Sequence, residues 1–177
     1  MKLVFLVTAV IFAITACMTA PQSVEGKTAI KKEADAALAK AQAADPTLAQ
    51  LVRDSSGYAV FPSVGKGGFG LGGAYGQGIL YERGAFAGYC DMTQATIGFQ
   101  LGAQTYTEII VFATREAVDQ FKTGNFAFDA QATAVALKSG AAANARYAAG
   151  VAVFTMDQTG LMYEATVGGQ KFSYQAR

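Results

Sequence analysis

Three short motifs put reactive residue types at spacings that chemistry uses. Gly65-Lys66-Gly67-Gly68-Phe69-Gly70 satisfies the G-x-G-x-x-G of a dinucleotide site, Ser63-Val64-Gly65-Lys66 the S-x-x-K of penicillin-recognising serine enzymes, and Lys122-Thr123-Gly124 their K-T-G. Each motif depends on its context. A pyrophosphate needs a helix N-terminus directly after the glycines, but Leu71-Gly72-Gly73-Ala74-Tyr75-Gly76 follows, and glycine at that density opposes a helix. The serine–lysine pair must share a helix face, with K-T-G on a neighbouring strand. Here Ser63 follows Pro62, Lys122 closes a predicted helix, and no S-D-N occurs. The chain has no histidine, which removes the usual base near neutral pH, imidazole triads and the commonest zinc ligand. Cys90, among Tyr89, Asp91 and Met92, has no basic neighbour to lower its pKa and reads as a small buried apolar residue. Glu82, Asp91, Glu108, Asp157 and Glu164 lack the spacing of a calcium or magnesium site. The sequence therefore predicts no catalytic residue, no metal site and no cofactor, and the protein reads as no enzyme.

The glycines that defeat these motifs form a pattern of their own. From Gly68 to Ile79, Gly68, Gly70, Gly72, Ala74, Gly76 and Gly78 alternate with Phe69, Leu71, Gly73, Tyr75, Gln77 and Ile79. Successive strand side chains point to opposite faces, so this is a strand with one nearly bare face and one largely apolar face. Glycine weakens a strand, so a bare face implies close approach of another backbone or a ligand, or sharp curvature. Thr96 to Gln104 repeats the device, with Gly98 and Gly102 on one face and Ile97, Phe99, Leu101 and Ala103 on the other. The segment from Gly68 to Tyr81 exceeds the usual strand length and must bend, bulge or break, with Gly72-Gly73 as the candidate point.

Around this β region the sequence predicts helices. Ile30, Ala34, Ala37, Leu38 and Ala41 recur at helical spacing, and Asp45-Pro46 reads as an N-cap and first helical residue opening a second helix through about Arg53. Tyr58 to Phe61 reads as a short separate strand. Thr114 caps a helix that Gly124 ends, and a further alanine-rich helix is expected from about Asp129 to Ala143. Val151–Met156, a turn near Asp157–Gly160, Leu161–Val167 and Lys171–Tyr174 read as a closing meander. This order predicts an α+β fold: one domain with a strongly curved, half-barrel-like, glycine-rich antiparallel sheet, an N-terminal amphipathic helix and further helices packed on it.

At 177 residues and 52% hydrophobic content the chain supports one domain with a sizeable core. Its 14 basic residues nearly balance 13 acidic ones, without a basic run, so the footprint of a nucleic-acid binder is missing. Residues 1–16 read as a lipoprotein signal peptide: Lys2, an apolar stretch from Leu3 to Ile14 too short for the roughly 20 residues of a membrane span, and Ile14-Thr15-Ala16-Cys17, which looks like a bacterial lipobox. Cys17 would be the acylated first residue of the mature protein and residues 17–26 a tether, leaving 27–177 as the domain. The expected location is the cell envelope, lipid-anchored at the outer membrane and facing the periplasm.

Ala59-Val60-Phe61-Pro62, Gly65-Lys66-Gly67-Gly68-Phe69-Gly70, the following Gly72-Gly73-Ala74-Tyr75-Gly76, Ile97 to Gln104 and Ile110-Val111-Phe112 together resemble the SYLF lipid-binding family, from about Ala29 to the C-terminus. The resemblance implies binding of membrane phospholipid, helped by an amphipathic N-terminal helix and basic residues. In this chain those are Lys66, flanked by Gly65, Gly67 and Gly68 whose N–H groups could reach an anion, and Lys31, Lys32 and Lys40 on the first helix, which also read as solvated lysines. The SH3 and FYVE modules of many eukaryotic members are missing from this sequence, and actin binding is not expected to carry over. The expected function is a non-enzymatic, lipid-anchored envelope protein that binds anionic lipid head groups. The alternative is a scaffolding lipoprotein that binds another envelope protein through its curved sheet.

Overall fold

The computed structural model describes residue 21 and residues 23–124, 127–128 and 134–177. The expected signal peptide, Cys17 and most of the expected tether lie outside them. Helix α1 runs Val24–Ala44, α2 Pro46–Asp54 and α3 Arg115–Lys122; the strands are β1 (Gly57–Glu82), β2 (Ala85–Phe112), β3 (Ala127–Phe128), β4 (Ala134–Ala136) and β5 (Val151–Ala176). They form one mixed sheet in the order β1-β2-β5-β3, with the short β4 pairing parallel to β5 and all other pairs antiparallel. The α+β class and single curved sheet are as the sequence predicts.

Local chemistry sets the helix ends. Ser23 accepts the Gly26 N–H at 3.0 Å and starts α1, so Val24 to Gly26, expected as tether, are helical. Asp45 caps α2 ahead of Pro46, accepting from Thr47 N at 3.0 Å. Its buried carboxylate also accepts from Gly140 N at 3.1 Å and Ala142 N at 2.7 Å. Burial pushes the Asp45 carboxyl up, but these bonds outweigh it and hold the group below its ordinary value. The same bonds help explain why the alanine-rich segment departs from the expected helix. Asp45 and a positive φ of 79° at Gly140 fix residues 140–142 as a turn and a single 3-10 turn, Ala142–Asn144, while Ala134–Ala136 adds to β5 as a strand.

The strands are longer and fewer than the sequence suggests. Tyr58 to Phe61 is not separate, because β1 continues for 26 residues by taking a bulge between Phe61 and Val64. Pro62, which has no N–H to offer the ladder, sits in that bulge. A second irregularity falls between Phe69 and Leu71, where Gly70 has φ 69°, not at Gly72-Gly73. The expected closing meander is one strand: β5 stays in register with β2 from Val151 to Ala176, past the expected turn at Asp157–Gly160, with one shift opposite Thr105 and Thr107.

A ribbon this long folds back on itself. A Cβ at Gly78 would lie 2.6 Å from Val60 O and 2.7 Å from Phe61 Cδ1, and one at Gly76 would lie 2.8 Å from Val64 Cγ2 and 3.2 Å from Ser63 O. The first and last thirds of β1 therefore run against each other, joined also by the Tyr58–Tyr81 stack at 4.9 Å. Phe61 meets Phe172 at 5.8 Å and Phe172 meets Phe121 at 5.0 Å, so the inner core lies within the folded ribbon and is closed by α3. On the outer face, Ile30, Ala34 and Ala41 of α1 and Leu48 and Val52 of α2 cover Tyr58, Val60, Ile79, Ile109 and Phe154.

Gly78→Ala should unfold or strongly destabilise the protein, because the clash is with backbone and overpacking costs about 1 to 3 kcal/mol even where side chains can yield. Gly65→Ala, with nothing within 4 Å of its Cβ, should melt like the parent. Thermal denaturation of the two variants checks this, and equal melting temperatures would deny the close approach.

Candidate functional site

The two faces of the ribbon differ sharply where it turns. Around the bend, Phe69 pairs with Leu101 and Leu71 with Ile97 across β1 and β2. These four side chains are 82%, 51%, 68% and 69% exposed, respectively. An isolated exposed leucine needs no explanation, but a cluster of large apolar side chains on one surface marks an interaction site. The cross-strand register makes this a cluster. The remaining large apolar residues exposed among the described residues, Val24 and Tyr147, lie on other elements.

The opposite, concave face is polar just below the bend. Lys66 follows Val64 of the inner core on the same face of β1 and is 5% exposed. Glu108 is 1% exposed, and its Oε2 accepts from Gln170 Nε2 at 2.9 Å. Gln94 is the cross-strand partner of Gln170 and is also buried. Burial pushes the Glu108 carboxyl up to about 7, against the lowering effect of the Gln170 bond and the Lys66 charge. On the other face of β2, between the inward-pointing Cys90 and Met92, Asp91 accepts from Tyr75 Oη at 3.1 Å and Ser173 Oγ at 3.2 Å; burial raises its pKa despite these bonds.

The lysines expected to hold head groups are not brought together. Lys66 is not an exposed residue of a glycine loop. Gly65, Lys66, Gly67 and Gly68 pair in sequence with Thr105, Gln104, Ala103 and Gly102. Amides of an extended strand alternate in direction, so they cannot converge on one anion as a nest does. The expected cradle of Gly65, Gly67 and Gly68 around Lys66 is therefore absent. Lys31 is paired with Asp35 at 2.6 Å, and Asp35 also accepts from Tyr81 Oη. Lys32 and Lys40 are exposed on α1, whose apolar stripe is spent on the sheet. Ser63 is exposed at the bulge while Lys66 is buried, so the S-x-x-K residues do not share a helix face. Cys90 is buried in the inner core, and its thiol pKa is pushed well up by burial. Among the described residues, no three acidic or cysteine side chains gather as a metal site.

The sequence reading missed the two features that stand out here. It separated an apolar face from a bare one, but nothing in the alternation says which face meets water. Glu108, Gln94 and Gln170 lie far apart in the chain and carry no motif.

An open sheet folded double, with helices packed on its outer face, is the class of architecture these elements define. Residues 93–176 match the family model described as "Ysc84: Las17-binding protein actin regulator". The chain is 29% identical over 150 residues to Beta cell expansion factor A of Aeromonas veronii, an alignment covering 84% of this chain and 57% of that protein. The chain thus spans little more than half the length of this relative. Both matches support a likeness to the SYLF (Ysc84) family.

Glu108 generates a pH dependence. Its folded-state pKa is raised, so its contribution to stability is full below the unfolded value near 4.5 and is lost as pH rises through about 7. Between pH 5 and 8 the parent should lose ~2 kcal/mol relative to Glu108→Gln. Urea denaturation of both proteins at the two pH values measures the difference, and parallel pH profiles would remove Glu108 as its source.

Proposed function

We propose that the protein is a non-enzymatic, lipid-anchored protein of the bacterial cell envelope that binds phospholipid bilayers with its apolar bend. The observation that carries this reading is the exposure of Phe69, Leu71, Ile97 and Leu101 on one face of the fold-back. A bilayer interface offers such a surface a place to bury its side chains, at about 1.5 to 3 kcal/mol for each one fully buried. The SYLF family's association with lipid binding supports the same reading. Lys32 and Lys40 add attraction to anionic lipid of about 1 kcal/mol each where they lie near the surface. No helix among the described residues is long and apolar enough to cross a membrane, so in this reading the anchor is an acyl group on Cys17 at the outer membrane. The actin regulation in the family description is not part of the proposal.

Phe69→Ser combined with Ile97→Ser should weaken flotation with phosphatidylglycerol-containing vesicles by on the order of a hundredfold, from the loss of about 3 kcal/mol of apolar burial. Both side chains are exposed, so the melting temperature should hold. Undiminished vesicle binding by the double variant would refute the role of the bend.

The anchor has its own test. Cys17→Ser should abolish labelling by radioactive palmitate and release the protein from the membrane fraction, since the thiol is the acyl acceptor. Labelling that persists in the variant would place the lipid elsewhere or remove it from the reading.

A further inference from the structure

Below the bend, the concave face holds hydrogen-bonding atoms that the fold leaves unmet. Glu108 Oε1, Gln170 Oε1 and both amide atoms of Gln94 are buried without a partner, while Glu108 Oε2 and Gln170 Nε2 bond each other at 2.9 Å. Each residue is more than nine-tenths buried. An unmet buried polar atom costs about 1 to 3 kcal/mol, and native proteins keep few. Gln94 and Gln170 are direct partners across β2 and β5, and the Glu108–Gln170 bond ties them to the other arm of the ribbon, so these atoms lie in one layer. Towards the bend the same face of β1 and β2 continues through Gly68, Gly72, Gly98 and Gly102, which have no side chains and are only partly buried, with the buried Thr96 and the half-buried Gln104 among them. On β1 and β2 the least covered side of the layer is thus the one towards the bend.

The inventory of atoms selects the chemical class of the ligand. With Glu108 ionised, three unmet acceptor oxygens accompany one unmet donor atom, Gln94 Nε2; below a pH of about 7 the Glu108 carboxyl carries a proton and can donate, so the complement must both donate and accept. When Glu108 is ionised, the Lys66 charge opposes its own, and the layer then does not call for an ion. Hydroxyl groups, each a donor that also accepts, meet both conditions. We propose that the layer of Lys66, Gln94, Glu108 and Gln170 binds a glycerol-like head bearing adjacent hydroxyl groups. Such a head is found on phosphatidylglycerol and on soluble glycerol esters. The lipid source rests on the membrane reading above; the soluble source does not.

The full-length protein is tested by flotation against phosphatidylcholine vesicles containing either phosphatidylglycerol or phosphatidylmethanol, which have equal charge but differ in the hydroxyls. Calorimetric titration with soluble glycerophosphoglycerol runs in parallel. The expected result is at least a tenfold preference for phosphatidylglycerol that Gln94→Leu abolishes. The melting temperature should stay unchanged or rise, since Gln94 has no partner to strand; Gln94→Met, unbranched and close in volume, repeats the test if the leucine variant folds poorly. Preference without a calorimetric signal assigns the site to the lipid head, whereas equally tight binding of the soluble ester assigns it to a free solute. Equal binding of the two vesicle types with no heat from the ester overturns the proposal, as does a preference that survives both Gln94 variants. If neither vesicle type binds, the membrane reading fails, and the titration alone decides the site: heat that Gln94→Leu removes supports it, and no heat overturns it.

Discussion

The contact on which the rest of this structure depends is between two parts of one strand. At Gly76 and Gly78 the returning arm of β1 comes so close to Val60–Val64 that no side chain fits between them. Because β2 and β5 are hydrogen-bonded alongside β1 through most of their length, folding β1 folds all three. One antiparallel ribbon thereby supplies both layers of its own core, and Phe61 and Phe172 meet although they belong to the first and last long strands. The helices complete the two faces: α3 closes the inner core, while α1 and α2 cover the outer one.

Folding a ribbon double gives its midpoint a different environment from its ends. At the ends both faces are covered. At the midpoint neither helix layer reaches Phe69, Leu71, Ile97 or Leu101, and the opposite face of β1 and β2 carries Gly68, Gly72, Gly98 and Gly102. The apolar bend and the buried polar layer are thus two faces of one turn in the ribbon. Glu108 and Gln170 stand where the inner core ends, and their bond spans the two arms. A carboxylate there costs desolvation free energy that a valine would not, which is why its pKa rises.

The sequence carried the turn chemistry and the periodicity but little of what depends on distance. Asp45-Pro46, Thr114 and Gly124 mark helix ends through bonds within a few residues, and each stands where the spacing puts it. The glycine alternation gave the curved sheet, and Gly76 and Gly78 lie against backbone as a bare face implies. Local pattern went wrong where a distant partner decides. Asp157 to Gly160 reads as a turn until β2 holds it extended, and the alanines near 140 read as helix until Asp45, almost a hundred residues earlier, takes their amides. Lys66 looks exposed among glycines because burial by the other arm of a folded strand leaves no local trace.

The Asp45 carboxylate has a consequence in mechanical terms. It sits between α1 and α2 and takes amides from residues 140–142, while Thr47 Oγ1 accepts from Ala143 N at 3.0 Å. Tension entering the domain at Ser23 would load the packing of Ile30 and Ala34 and the Asp35–Tyr81 bond on β1 first, and this clasp at the far end of α1 after them. The clasp shares the load with the segment that leads into β5, so a pull on the N-terminal helix is passed to β5 as well as to β1 instead of peeling the helix away alone. A domain held to a surface by its first residues would then resist as one body.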